Sequence, residues 1–194
     1  MRLFVALDIP DRIRTKLRTF MDGVRGFAPD VRWVAPESLH VTLKFIGEQP
    51  DDKLRSIKDA LATVQAECMD VTFRSTGFFP TATSARVFWV GIEADERLAK
   101  PAAAVDTALQ PLGIEREQRA FSPHLTLARS GSGRPQRGRG DHPNRLFAVL
   151  QDRLAQMPPP EFGTMAAREF FLYLSKLSPK GAQYSKLERF SLGL

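Results

Sequence analysis

Two four-residue segments of this chain resemble one another, His40-Val41-Thr42-Leu43 and His124-Leu125-Thr126-Leu127. They hold two of the three histidines and lie 84 residues apart in a chain of 194. Strand side chains alternate between faces, so each imidazole shares a face with a threonine hydroxyl while the aliphatic residues enter the other side. Imidazole can gain or lose a proton near neutral pH. Two such rings facing across a groove suit a phosphodiester: one takes a proton from attacking water, and the other, as imidazolium, protonates the leaving oxygen. The hydroxyls can donate hydrogen bonds to non-bridging phosphate oxygens, where charge gathers in the pentavalent transition state. This chemistry requires no metal. A single His-x-Thr triplet reads more simply as a buried histidine in an ordinary strand; its repetition argues for a pair.

The elements that must carry these segments follow from periodicity. Residues 2–8 are an apolar strand, and Pro10 opens a helix with Ile13, Leu17, Phe20, Met21 and Val24 on one face. Strands are expected at Val31 to Val34 and His40 to Ile46, followed by a helix from near Asp51 with Leu54, Ile57, Leu61 and Val64 at helical spacing. Val71 to Ser75 and Arg86 to Ile92 read as strands separated by the loop FFPTATSA, and a third helix covers roughly 94–110. Phe121 to Ala128 is the strand of the second segment, and Asn144 caps a helix ending before the prolines at 158–160. Three strands close the chain: Phe162 to Ala166, Glu169 to Leu177 and Tyr184 to Leu192. The irregular alternation predicts an α+β fold with mainly antiparallel sheets, and the spacing of the two segments fits a pseudo-twofold arrangement.

Composition narrows the function classes. A length of 194 residues suits one domain or two closely packed lobes. The net charge is +6, built from 20 Arg and 8 Lys, and Arg is the better bidentate partner for phosphate. That balance admits a nucleic acid without requiring one. Residues 130–145, SGSGRPQRGRGDHPNR, carry half of the excess charge. They read either as a solvated basic loop or as a phosphate-contacting arm in which Arg134, Arg137 and Arg139 follow an irregular RNA strand. The lone Cys68 excludes an intrachain disulfide and a cysteine-rich metal site, and it reads as a buried, inert thiol. A zinc site would need His142 folded inward beside the other two histidines, and no HExxH segment supports one. The apolar run in MRLFVALDIP is too short for a signal peptide or a membrane span, so a cytoplasmic protein is expected.

With RWVAPESLHVTLKFIG, FSPHLTLAR and the closing SKLSPKGAQYSKLERFSL, the two tetrads make the chain resemble the 2H phosphoesterases over essentially its whole length. Within that superfamily it is similar to the RNA 2′,3′-cyclic phosphodiesterases, historically named 2′-5′ RNA ligases. The resemblance implies one bilobal domain over residues 1–194: two pseudo-symmetric antiparallel-sheet lobes with outer helices enclose a groove, and the two chain ends share a lobe. It implies cofactor-free, metal-independent hydrolysis of a 2′,3′-cyclic phosphate to a 2′-phosphomonoester, with His40 as general acid and His124 as general base. Thr42 and Thr126 carry over as phosphate binders. The partner implied is RNA with 2′,3′-cyclic ends, such as tRNA fragments, or a cyclic nucleotide, bound by a monomer. RNA-end binding without turnover, or formation of 2′-5′ linkages, is the alternative. Arg129 is a further phosphate candidate, and Lys44, by strand parity with His40 and Thr42, a groove-lining one. Phe121 can stack a base or pack in the core, Phe45 reads as core, and Trp33 and Trp89 as structural.

Overall fold

Every strand in the computed structural model is paired antiparallel, and the strands form two sheets. The structure describes residues 1–94, 96–131, 145–178 and 181–193. The first sheet has the order β3-β1-β8-β9, built from β1 (Arg2–Asp8), β3 (His40–Glu48), β8 (Glu169–Ser178) and β9 (Gly181–Ser191). The second has the order β2-β6-β5-β4-β7, built from β2 (Arg32–Trp33), β4 (Met69–Phe79), β5 (Val87–Glu93), β6 (His124–Arg129) and β7 (Glu161–Ala167). Both ends of the chain therefore lie in the sheet of His40, and the sheet of His124 is made mostly from the middle.

Strand β1 is buried on both faces. Leu3, Val5 and Leu7 join the main core, whereas Phe4 and Ala6 join a second cluster with Phe171 and Tyr173. That accounts for its unbroken apolar run, since a half-exposed strand would alternate with polar residues. The main core takes Val41 and Leu43 from one sheet and Leu125 and Leu127 from the other, so the two His-x-Thr strands are anchored in one apolar body.

Among the described residues, four α-helices cover the sheets: α1 (Asp11–Val24), α2 (Leu54–Ala62), α3 (Ala99–Leu109) and α4 (Ala148–Ala155). Pro10 precedes α1, and Ile13, Leu17, Met21 and Val24 form its buried face at the expected spacing. Helix α1 lies against β7, while α3, which follows β5 in the chain, packs beside β3 of the other sheet. No helix among the described residues is long and apolar enough to cross a membrane.

Cys68, expected to be buried, is exposed in the segment between α2 and β4, and some boundaries also differ from expectation. Strand β4 runs to Phe79, through part of the segment expected to be a loop, because Phe78 and Phe79 pair with Phe88 and Val87. Strand β6 begins only at His124, after Pro123. Helix α4 begins at Ala148, and the expected cap Asn144 lies outside the described residues.

Candidate active site

Each strand that carries a motif histidine is entered through a serine two positions before it, Ser38 and Ser122. The backbone carbonyls of these serines accept hydrogen bonds from the histidine Nδ1 atoms, at 2.7 Å for His40 and 2.8 Å for His124. A carbonyl can only accept, so Nδ1 carries the proton and the neutral tautomer leaves Nε2 as the basic nitrogen. The same local anchor is thus built twice. A serine two residues before each histidine is the sequence feature common to both anchors, although the acceptor is the main chain.

The aromatic surroundings differ. The His40 ring lies 4.8 Å from Phe4 between ring centroids and meets Tyr184 edge-on at 5.1 Å and 89°. Tyr173 stacks on the other ring, Phe4, at 5.0 Å. His124 meets Phe79 edge-on at 5.0 Å, and Phe79 in turn packs on Trp89, which pairs across the strands with Thr126. Burial dominates both titrations. It lowers His40 from the usual 6.5 to about 4, against the opposing influence of the Ser38 hydrogen bond, and it lowers His124 in the same direction. Both shifts favour the neutral ring. Arg129 lowers both further, so one guanidinium acts on the two histidines, which stand on different sheets. Asp8, opposite His40 in the β1–β3 pairing, is a carboxylate that favours the protonated form of that ring.

A bulge follows each threonine. In β3 the partner of Ala6 is Thr42 and the partner of Val5 is Lys44, so Leu43 is the extra residue. In β6 the partner of Trp89 is Thr126 and the partner of Phe88 is Ala128, so Leu127 is extra. An inserted residue reverses the parity of all that follows. This brings Arg129 back to the face of Thr126, where its Nη2 donates to Oγ1 at 3.3 Å. Simple alternation would have put it on the other face.

The same device corrects two expectations. Lys44 does not line the groove: it is buried, its Nζ pairs with Asp106 of α3 at 2.5 Å and it donates to the Glu115 carbonyl at 2.6 Å. Phe45, expected in the core, is instead 59% exposed and meets Phe4 at 6.0 Å on the side of His40. Phe121 is half-buried and packs against the main core. Trp33 donates its indole N–H to the Ala28 carbonyl and packs on Phe88, a structural role. Arg134, Arg137, Arg139 and His142 lie outside the described residues. Phe4, Phe79, Tyr173 and Tyr184 went unseen as neighbours of the histidines because their chain positions are remote from both motifs. Among the described residues, no group of three or more His, Cys, Asp and Glu side chains could hold a metal ion.

A model of the LigT like phosphoesterases matches the chain twice, over residues 7–89 and 90–184, each span holding one His-x-Thr segment. The RNA 2′,3′-cyclic phosphodiesterase of Archaeoglobus fulgidus is 34% identical over 190 residues, covering 98% of this chain and 99% of that protein. The Thermus thermophilus enzyme of the same name is 34% identical over 204 residues, covering 99% and 90%. A crystal structure of a Thermus thermophilus protein superposes with a TM-score of 0.77 at 30% identity, covering 99% and 98% of the two chains. Escherichia coli LigT complexed with 3′-AMP superposes with a TM-score of 0.77 at 26% identity, covering 100% and 98%. The two antiparallel sheets with outer helices thus form the bilobal 2H phosphoesterase fold around a central groove. A duplicated motif, a matched fold and relatives alike over nearly their whole length place this chain in the LigT like phosphoesterase family.

Proposed function

We propose that the protein hydrolyses RNA 2′,3′-cyclic phosphodiester ends to 2′-phosphomonoesters. The observation that carries this reading is the matched presentation of two imidazoles on opposite sheets, each held through Nδ1 with Nε2 left for chemistry, and both within the field of Arg129. The names of the Archaeoglobus and Thermus relatives and the 3′-AMP complex of the Escherichia coli protein support the substrate class.

In the reaction, water attacks phosphorus while His124 Nε2 takes its proton. The bond from phosphorus to O3′ breaks, and O3′ receives the proton held by His40 Nε2. This division of roles is the one that the resemblance to the 2H phosphoesterases implies, and Asp8 acts on His40 against burial and Arg14. Burial favours the neutral form of His40, and an anionic phosphate at Nε2 favours the charged one. Thr42, Thr126 and Arg129 hold the non-bridging oxygens, and the exposed Phe45 offers the adjoining base an apolar surface. Each proton transfer is assigned to a side chain, so turnover should persist without metal.

The test is a short RNA ending in a 2′,3′-cyclic phosphate, incubated with the protein in excess chelator, with the product read by phosphorus NMR. A 2′-phosphomonoester is expected. A 3′-phosphomonoester would reverse the leaving oxygen, and loss of turnover in chelator would overturn the metal-free mechanism. Binding without turnover would leave an RNA-end-binding protein, and formation of 2′-5′ linkages would make ligation the relevant direction.

A further inference from the structure

Tyr184 comes from β9, the last strand of the chain, yet its ring stands beside the catalytic candidate nearest the other end. It meets His40 edge-on at 5.1 Å and Phe4 at 5.0 Å and 75°, in contact with the second apolar cluster. The ring is therefore held from two sides. The hydroxyl makes no hydrogen bond among the described residues and reaches solvent, so its donor is open to a ligand. Two guanidinium groups act on it, those of Arg129 and Arg2. Arg129 is also the cation that acts on both histidines and donates to Thr126. The phenol thus lies where an anion bound between His40 and Arg129 would be found, and it still has a donor to offer. Burial raises its titration, which keeps the O–H protonated at physiological pH.

We propose that Tyr184 is a substrate-contacting residue whose hydroxyl donates a hydrogen bond to the phosphate bound between His40 and Arg129, while its ring edge sets the orientation of His40. The inference rests on the phosphodiesterase reading of the same groove and adds a donor from the C-terminal strand that neither His-x-Thr segment supplies. A charge-assisted hydrogen bond of this kind favours the more highly charged transition state as well as the bound ground state.

Two variants separate the hydroxyl from the ring. Tyr184→Phe keeps the edge contact and removes only the donor, whereas Tyr184→Leu removes both. Binding of adenosine 2′-monophosphate, measured by calorimetry, is expected to weaken about tenfold in Tyr184→Phe. The NMR titration of the His40 ring in the free protein should match wild type in Tyr184→Phe and move in Tyr184→Leu. Wild-type affinity and wild-type kcat/KM in Tyr184→Phe would overturn the proposal. So would weakened binding accompanied by a displaced His40 titration in Tyr184→Phe, because the effect would then act through packing. If wild type fails to turn over the cyclic-ended RNA, the hydrolase reading falls, while the monophosphate affinities still decide the role of Tyr184.

Discussion

At His40, packing against Phe4 and Tyr184 opposes protonation, whereas a phosphate placed at Nε2 favours it. Ligand binding is therefore expected to take up a proton. Calorimetry of a nucleoside 2′-monophosphate at pH 6, repeated in buffers of different ionisation enthalpy, should show net uptake in wild type and less in His40→Gln. The same shift has a consequence for stability. A histidine that titrates at 6.5 in the unfolded chain and about 4 in the folded one binds its proton more readily when unfolded. Stability is fully present above about pH 6.5 and falls as pH drops toward 4, by up to about 3 kcal/mol from this residue alone. His124 acts in the same direction. Urea midpoints measured across this interval should fall steeply in wild type and less steeply in His40→Gln. For turnover, His40→Ala and His124→Ala are each expected to lose at least about a hundredfold in kcat on cyclic-ended RNA.

The bulges at Leu43 and Leu127 decide which side chains meet the groove. By turning Lys44 away from it, the first bulge creates a buried ion pair with Asp106, which also accepts from the Glu117 backbone N–H. Removing one partner strands the other charge, so Lys44→Met should destabilise by about 3 kcal/mol or more, and Lys44→Met with Asp106→Leu should recover much of that loss. Denaturation midpoints of the single and double variants check this. On the other sheet, Gly77 lies directly under Trp89. A Cβ there would fall 2.2 Å from indole Cζ2, so the indole must move. Since Trp89 packs on Phe79 and Phe79 on His124, Gly77→Ala should cost about 1–3 kcal/mol and also lower kcat. Thermal unfolding and steady-state kinetics on the same preparation would show whether the two losses occur together.

Across the whole molecule, the repeat in sequence does not divide the chain into two separable halves. Strand β1 is hydrogen-bonded to β3 on one side and to β8 on the other, so the sheet of His40 needs residues from both ends. Residues 1–94 expressed alone should show weak, noncooperative unfolding by circular dichroism, and cooperative unfolding of that fragment would establish an independent lobe. The amphipathic face of α1 was legible because helical spacing alone defines it, and the two His-x-Thr strands because their repetition outweighed the usual fate of a buried histidine. The parity of Lys44, Phe45 and Arg129 was not legible, because a bulge is an agreement between two strands and leaves no mark on either one alone. Local spacing by itself determined that two imidazoles are each paired with a hydroxyl and supported by aliphatic residues on the opposite face. That Tyr184 stands against His40 and that one arginine acts on both rings follows from how the sheets assemble, which brings together residues distant in sequence.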